Sequence, residues 1–292
     1  MRVILLGRKP VACEALRYML AQGAEVVAVS APRNTEPDFY PERLVDVAES
    51  FAIPLLDDQY LYDCLAGRAV EKAIDLRDID LVVSILHQRR IKSPLLKLGR
   101  LGCLNFHPAP LPEYRGWGTY NIAILEGVKA WGASAHFADE GFDTGPLVRI
   151  RWFDIDCTQE TALSLQRKTQ PVMFELFKEV FDLALREGTL PSVVQWPGRT
   201  FTKNEVMAQR FITTQDPPEL VERKVRAFWY PPNPCAEVQI GDRSYPVMNH
   251  TIFNDLVPLV CQQRTERSDE ILTQKKPGAG DIGCATPHRK EN

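Results

Sequence analysis

The chain begins with the apolar run Val3-Ile4-Leu5-Leu6-Gly7, and a second apolar run, Val26-Val27-Ala28-Val29, follows a stretch with apolar residues at helical spacing. Gly23 stands where that helix would end, because glycine readily adopts the left-handed backbone of a helix C-terminus. A third run, Leu81-Val82-Val83-Ser84-Ile85-Leu86, is almost wholly apolar, which is typical of a strand covered on both faces. The alternation predicts an α/β fold, with a Rossmann-like, mostly parallel sheet and helices on both faces.

The length of 292 residues predicts more than one structural unit, since a domain usually has about 100–200 residues. We expect a large domain over residues 1–205, which ends after a long amphipathic helix within 158–187. A small C-terminal α+β or all-β domain follows over 206–261, where two strand-like runs flank the turn signal Gly241-Asp242. Residues 262–292 are polar with few large apolar side chains, so we expect a flexible tail.

The charge balance disfavours a nucleic-acid-binding surface. The 35 Lys+Arg residues oppose 38 Asp+Glu residues, for a formal net charge of -3, whereas surfaces built to hold DNA or RNA usually show a basic excess. The first apolar run is too short for a signal peptide, and no stretch approaches the roughly 20 apolar residues of a membrane span. These features predict a soluble, cytoplasmic protein with no DNA or membrane partner.

Metal and dinucleotide sites have little support in the sequence. The 7 cysteines contain no C-x-x-C pair and the 5 histidines contain no H-x-x-x-H pair, which predicts reduced thiols and no metal centre. The loop after the first strand contains one glycine, Gly7, before Pro10, where a dinucleotide-binding loop has three glycines. A Rossmann-like sheet without a nicotinamide cofactor is therefore expected.

The segment Asn105-Phe106-His107-Pro108 follows a strand-like run. Asn105 and His107 are two residues apart, so their side chains point to the same side of a strand. Ligands bind at the carboxyl ends of parallel strands, where an amide and an imidazole can stabilise an oxyanion and transfer a proton. The same pair is also compatible with a strand-end cap that contains a hydrogen-bonded histidine.

A second segment, Asp139-Glu140-Gly141-Phe142-Asp143-Thr144-Gly145, is typical of a loop, because it combines carboxylates with glycines. Asp139 and Glu140 have the character of solvated or capping groups. Asp143 would orient His107 and stabilise its protonated form if the two side chains met.

Three motifs resemble those of the 10-formyltetrahydrofolate-dependent formyltransferases: Asn105-x-His107-Pro108, Leu111-Pro112-x-Tyr114-Arg115-Gly116, and Asp139-Glu140-Gly141-x-Asp143-Thr144-Gly145. The separation of His107 and Asp143 (143 − 107 = 36) is also similar. The resemblance covers residues 1–205 and is greatest to the sugar N-formyltransferases of that family. It implies that Asn105, His107 and Asp143 are catalytic, that 10-formyltetrahydrofolate is the cosubstrate, and that no metal is needed.

The resemblance also implies contacts to both substrates. The expected donor contacts are Leu86, His87, Gln88, Arg90, Ile91, Asp139, Glu140 and Gly141. Within them, His87-Gln88-Arg89-Arg90 stands where relatives often have an aromatic residue or a glycine. The expected acceptor contacts are Pro110, Arg115, Gly116, Tyr120, Asn121, Trp229 and Tyr230.

We expect the acceptor to be the amine of a nucleotide-linked amino-dideoxy sugar, because residues 116–124 and 226–232 resemble the corresponding stretches of sugar N-formyltransferases. A tRNA acceptor needs a basic surface, whereas residues 206–292 contain 11 Lys+Arg and 11 Asp+Glu. The alternatives are methionyl-tRNA formyltransferase, formyl transfer to another small amine, a formyltetrahydrofolate hydrolase, and a non-catalytic folate- or nucleotide-binding protein. Apolar residues within 228–247 suit either a homodimer interface or internal packing.

Overall fold

A computed structural model describes residues 1–32, 42–68, 74–254 and 256, and the predicted tail at 262–292 lies outside them. Contacts group Met1–Val247 into one compact unit, and a second unit begins at Met248, with helical residues at 250–254. The strands of the first unit are β1 (Arg2–Gly7), β2 (Glu25–Ser30), β3 (Leu81–Ile85), β4 (Cys103–His107), β5 (Tyr114–Gly116), β6 (Ala130–Phe137), β7 (Leu147–Asp154), β8 (Arg199–Phe201), β9 (Phe211–Ile212), β10 (Glu237–Ile240) and β11 (Arg243–Pro246). Its α-helices are α1 (Pro10–Ala21), α2 (Leu44–Ser50), α3 (Asp58–Leu65), α4 (Thr119–Glu126), α5 (Ala162–Glu187), α6 (Lys203–Ala208) and α7 (Pro218–Ala227).

A six-stranded sheet in the order β2-β1-β3-β4-β6-β7 forms the centre of the first unit. The strands β1 to β4 pair in parallel, whereas β6 is antiparallel to both of its neighbours, β4 and β7. The prediction of an α/β fold with a mostly parallel sheet is confirmed. The sequence pattern did not indicate β6 and β7, and their antiparallel pairing extends the sheet beyond the strand that carries Asn105 and His107.

Helices cover both faces of this sheet. On one face, Leu16 of α1 and Phe177 of α5 belong to a buried cluster with Val3 of β1. On the other face, Leu61 of α3 is buried in a cluster with Ile4 of β1. Truncating a fully buried leucine such as Leu16 to alanine would cost about 2–5 kcal/mol of folding free energy.

The long helix α5 supports the strand that carries the candidate catalytic residues. It begins at a capping box, in which the Thr161 side chain accepts from the Ser164 N–H and the Ser164 side chain accepts from the Thr161 N–H. It ends at Gly188, whose φ of 64° is left-handed. The ring of Phe177 lies 5.3 Å from the ring of Phe106, which stands between Asn105 and His107 in the sequence, so α5 packs directly behind the site.

Two smaller sheets complete the unit. Strands β5 and β8 pair in parallel, and β9, β10 and β11 form a three-stranded sheet. The predicted turn at Gly241-Asp242 joins β10 to β11 as an antiparallel hairpin, and Gly241 has a φ of 63°. The predicted domain boundary at residue 205 stays a prediction.

Candidate active site

Three polar side chains form a row across neighbouring strands. The strand register places Ser84 of β3 beside Asn105 of β4, and Asn105 beside His136 of β6. The Ser84 hydroxyl donates to Asn105 Oδ1 at 2.7 Å, and Asn105 Nδ2 donates to His136 Nε2 at 3.0 Å. His136 Nδ1 donates to the Phe137 carbonyl at 2.8 Å, which leaves Nε2 to accept from Asn105. The amide of Asn105 is therefore held at both ends.

His107 follows Asn105 on the same side of β4. Its Nε2 donates to the Tyr114 carbonyl at 2.8 Å, and since a carbonyl only accepts, the neutral ring carries its proton on Nε2. Its Nδ1 lies 3.4 Å from Oδ2 of Asp143. Nδ1 is thus the basic atom of this imidazole, and a proton taken up there lies beside a carboxylate.

Asp143, in the loop between β6 and β7, reaches both residues. Its Oδ1 accepts from Asn105 Nδ2 at 3.3 Å, and its Oδ2 accepts from the backbone N–H of Gly116 at 2.9 Å. The structure therefore brings Asn105, His107 and Asp143 together, although Asp143 belongs to a different segment of the chain.

Burial and neighbouring charges set the protonation states. Burial lowers the pKa of His107, and the Asp143 carboxylate opposes this effect only in part. Burial would raise the pKa of Asp143, but His107, His136 and the Gly116 N–H outweigh it and hold that pKa well below its ordinary value. The resting site combines an ionised Asp143 with a neutral His107.

Two glycines allow the loop that carries Asp143 to approach Asn105 and His107. A Cβ on Gly145 would lie 1.9 Å from the carbonyl oxygen of Phe137. Gly116, which donates to Asp143, has a φ of 86°, and a Cβ there would lie 2.5 Å from the carbonyl oxygen of Phe201. A side chain at either position would therefore displace backbone that shapes the site.

Gln195, which is distant in the sequence, stabilises the Asp143 loop by hydrogen bonds. Its Nε2 donates to the carbonyls of Asp143, at 3.2 Å, and Gly145. Its Oε1 accepts from Arg115 at 2.8 Å, and Arg115 also donates to the Trp196 carbonyl at 3.1 Å. Arg115 is only 8% exposed, and its guanidinium is used in hydrogen bonds to other parts of the protein.

A cavity of about 770 Å³ opens where β1, β3 and β4 end, and Asn105, His107 and Asp143 line it. Cationic side chains outnumber carboxylates among its described lining residues. The lysines and arginines are Arg8, Lys9, Arg89, Arg90 and Lys203, and the carboxylates are Asp139 and Asp143. This excess of positive charge favours a ligand that carries negative charge.

Three residues that line the cavity have a left-handed backbone although none is glycine. The φ values are 68° at Lys9, 54° at Leu86 and 56° at Asp143. Each such conformation costs about 1–3 kcal/mol and persists only where the surrounding structure imposes it. Strain of this kind is concentrated in the loops around candidate active sites.

Most of the residues expected to contact the donor lie on the cavity wall: Leu86, His87, Gln88, Arg90, Ile91, Asp139 and Gly141. Glu140 is exposed and lies outside the lining. The carboxylate of Asp139 accepts from the Gly141 N–H at 2.9 Å and the Thr144 hydroxyl at 2.8 Å, so it shapes its own loop.

The residues expected to contact the acceptor divide into two groups. Those that line the cavity are Gly116, Tyr120 and Tyr230. Those outside the lining are Pro110, Arg115, Asn121 and Trp229. Asn121 donates to the Ala227 carbonyl at 2.7 Å, and Trp229 is only 6% exposed, so these two side chains serve internal packing.

Several residues of the site were not singled out from the sequence, above all His136, Ser84 and Gln195. His136 lies on a strand built largely of small residues, and only the pairing of β4 with β6 would have placed it beside Asn105. Within the described residues, no group of three or more His, Cys, Asp or Glu side chains is arranged to hold a metal ion. No helix in the described ranges is long and apolar enough to cross a membrane.

The fold and the site define an α/β protein whose candidate catalytic residues meet at the ends of the strands. Residues 19–181, more than half of the chain, match the protein family described as formyl transferase. The chain therefore belongs to the formyltransferase family, whose members use formyltetrahydrofolate as the formyl donor.

Curated relatives with two different acceptors resemble this chain. A methionyl-tRNA formyltransferase of Paracidovorax citrulli is 30% identical over 98% of this chain and 87% of its own length. A GDP-perosamine N-formyltransferase of Brucella melitensis is 31% identical over 62% of this chain and 68% of its own length. The chain spans only 58% to 60% of the length of several other methionyl-tRNA formyltransferases.

Solved structures share the fold. An N-formyltransferase of Helicobacter canadensis, in complex with folinic acid and dTDP-3-aminofucose, superposes with a TM-score of 0.65 and 19% sequence identity. The match covers 82% of this chain and 84% of that one.

Proposed function

We propose that this enzyme transfers the formyl group of 10-formyltetrahydrofolate to the amine of a nucleotide-linked amino-dideoxy sugar, with Asn105, His107 and Asp143 as its catalytic residues. The observation that carries the proposal is their meeting in one cavity at the strand ends, with a neutral imidazole beside an ionised carboxylate. Membership in the formyltransferase family supports the reaction type.

In the proposed reaction, the amine nitrogen forms a bond to the formyl carbon and the formyl oxygen becomes an oxyanion. Asn105 Nδ2 exchanges its longer bond, the 3.3 Å contact with Asp143, for a bond to that oxyanion, a contribution that typically accounts for about 10²–10³ in rate. His107 Nδ1 accepts the proton that the amine loses, and Asp143 stabilises the imidazolium. The bond from the formyl carbon to N10 of the folate then breaks, and N10 takes up the proton.

Two aromatic residues with cations beside them support a sugar nucleotide as the acceptor. Lys203 Nζ lies 6.0 Å from the ring centre of Trp117, and Lys9 Nζ donates to the Tyr230 hydroxyl at 2.6 Å. All four residues line the cavity. Aromatic faces suit a nucleobase, and lysines beside them suit a diphosphate.

Methionyl-tRNA is the second candidate acceptor, and the relative from Paracidovorax citrulli that aligns with 98% of the chain favours it. The charge of residues 206–292 opposes it, because 11 Lys+Arg against 11 Asp+Glu provide no basic excess for a polyanion. The sugar nucleotide therefore ranks first.

The test is a formyl-transfer assay with dTDP-, GDP- and UDP-linked amino sugars, with Met-tRNA and glycinamide ribonucleotide as controls. We expect transfer to at least one sugar nucleotide and severe loss of rate in His107→Asn, with folding checked by circular dichroism. Transfer to Met-tRNA alone would reverse the ranking of acceptors, and a folded His107→Asn enzyme with full activity would refute the proposed site.

A further inference from the structure

Gln195 lies outside the cavity lining, but its side chain holds the loop that carries Asp143. Its Nε2 donates to the Asp143 carbonyl at 3.2 Å and also to the Gly145 carbonyl. A primary amide has two N–H donors, so it can serve both carbonyls at once. One side chain from a distant segment therefore binds the backbone on both sides of Thr144.

A buried arginine decides which end of this amide meets the loop. Arg115 is 8% exposed, and its Nε and Nη2 donate to Gln195 Oε1 at 3.2 Å and 2.8 Å. Since a guanidinium only donates, the atom that faces it is the amide oxygen, and the NH₂ group must face the Asp143 loop. Nη2 also donates to the Trp196 carbonyl at 3.1 Å. The guanidinium thus fixes both the Gln195 side chain and the backbone next to it.

Backbone pairing brings Gln195 to this loop. Leu147, the first residue of β7, forms an antiparallel bridge with Val193, in which the two residues exchange N–H to carbonyl bonds of 2.7 Å and 2.8 Å. Residues that lie two positions beyond such a bridge, in opposite directions, face each other. This register places Gln195 opposite Gly145, and the bond from Gln195 to the Gly145 carbonyl agrees with it.

The backbone of Asp143 needs support, because its φ of 56° is left-handed. A residue other than glycine keeps this conformation only where its surroundings impose it. The same residue places its Oδ2 2.9 Å from the Gly116 nitrogen and 3.4 Å from His107 Nδ1. A displacement of about 1 Å in an active site can cost about 10²-fold in rate. The bond from Gln195 to the Asp143 carbonyl therefore bears on the geometry of the carboxylate.

We infer that Gln195 is a positioning residue of the formyl-transfer site. Oriented by Arg115, it keeps the Asp143 carboxylate beside His107 without touching either substrate. The inference rests on the proposed function, in which Asp143 stabilises the imidazolium of His107. It adds a requirement that the three catalytic residues do not meet by themselves, namely an amide donor at residue 195.

The pH dependence of the reaction distinguishes this role from a general structural one. Among the described residues, Asp143 and His136 are the titratable groups that act on His107. The Asp143 carboxylate raises the pKa of His107 against the effect of burial. When Gln195 is removed and the carboxylate moves away, that pKa falls further. The acid limb of the pH–rate profile should then shift to lower pH, in the same direction as for Asp143→Asn.

The first variant is Gln195→Glu, which keeps the size of the side chain and an acceptor for Arg115. It replaces the NH₂ donors by an oxygen that repels the two carbonyls. We expect kcat to fall by about 10- to 100-fold, with little change in the KM of donor or acceptor, because the lost interaction acts in the transition state. Gln195→Ala should show the same loss without the added repulsion, and circular dichroism checks the folding of both variants.

The matched control is Gln239→Glu. Gln239 is exposed on β10, donates to the Gly241 carbonyl at 3.3 Å, and does not line the cavity. It therefore loses the same kind of bond at a position that no candidate catalytic residue shares. Its kcat and its acid limb should match those of the wild-type enzyme.

A double-mutant cycle tests whether Gln195 acts through Asp143. In an Asp143→Asn background, Gln195→Glu should lower kcat by less than about 2-fold, because the carboxylate that it positions is already gone. Losses that multiply in the double variant would overturn the inference, and so would a Gln195→Glu enzyme with wild-type kcat and an unmoved acid limb. A folded Asp143→Asn enzyme with full activity, or absence of formyl transfer by wild-type enzyme to any acceptor in the panel, would instead refute the proposed function.

Discussion

Nδ2 of Asn105 and Nε2 of His136 lie 3.0 Å apart on neighbouring antiparallel strands, so an imidazole outside the three predicted catalytic residues fixes the orientation of the Asn105 amide. The bond is one of two that hold Asn105 Nδ2, and the other, to Asp143, is longer at 3.3 Å. His136 is therefore the nearer partner of this nitrogen in the resting site.

His136→Ala should lower kcat by about 10- to 100-fold, because a misplaced donor loses most of its value in the transition state. His136→Gln should recover part of the loss, since a Gln carbonyl can accept the same bond. The measurement is formyl transfer at saturating substrates, with exposed His250→Ala as the control. Full activity of His136→Ala would show that Asn105 needs no such partner.

Asp143→Asn tests the electrostatic link to His107. The carboxylate raises the pKa of His107 against the effect of burial, so its removal should shift the acid limb of the pH–rate profile to lower pH. The plateau rate should also fall, by about 10²–10⁴, because the imidazolium loses its counter-charge. A pH–rate profile of kcat/KM checks both effects, and an unmoved acid limb would show that another group titrates there.

His107 should also give the folded protein a pH-dependent stability. Its pKa is lowered below the ordinary 6.5, so the unfolded chain binds a proton that the folded protein refuses. Stability must then fall as the pH drops from 6.5 through the lowered pKa, by up to about 1.4 kcal/mol per pH unit. Urea unfolding across this range should show the same dependence of unfolding free energy on pH in wild type and in His250→Asn. The dependence should be smaller in His107→Asn. Equal slopes in all three proteins would contradict the assignment.

Gly145→Ala should destabilise the fold and disable the site together. The new Cβ would lie 1.9 Å from the Phe137 carbonyl oxygen, so the Asp143 loop must move. We expect a loss of more than about 2 kcal/mol of unfolding free energy with a large loss of activity. Gly67→Ala is the control. Gly67 also has a positive φ, of +68°, but a Cβ there would meet no atom of a non-neighbouring residue within 4 Å. The substitution should lower the unfolding free energy by about 1 kcal/mol and leave the activity unchanged. Thermal denaturation and the transfer assay would be run on both variants, and a fully active Gly145→Ala would show that the loop tolerates displacement.

Side chains along a β-strand alternate between its two faces, and this two-residue period made part of the site predictable from the sequence. Asn105 and His107, two residues apart after an apolar run, had to share one side of a strand end. The contact of His107 with Asp143 depends on how a glycine-containing loop folds back, and the family resemblance rather than the residue spacing indicated it. The long helix α5 was likewise predictable, because an apolar stripe at helical spacing leads to Gly188.

The rest of the site depends on pairings between distant segments. Residues 130–137 contain several Ala, Gly and Ser residues and show no strong strand pattern, so the register that brings His136 to Asn105 was not evident. Gln195 lies about fifty residues from Asp143 in a segment without regular structure, and no local signal marks its bonds to the Asp143 loop. The sequence also contains no sign that Asn121 and Trp229 serve internal packing, because polar and aromatic side chains occur both in binding sites and in protein interiors.

The row of Ser84, Asn105 and His136 is positioned by a different part of the fold from the aromatic residues of the cavity wall. Its three members are held in register by the backbone ladder of the central sheet, whereas Trp117 and Tyr230 of the cavity wall lie outside the named strands. Substitutions that reshape those segments need not move the Asn105 amide. The proposed chemistry and the proposed recognition of the acceptor therefore rest on separate parts of the fold.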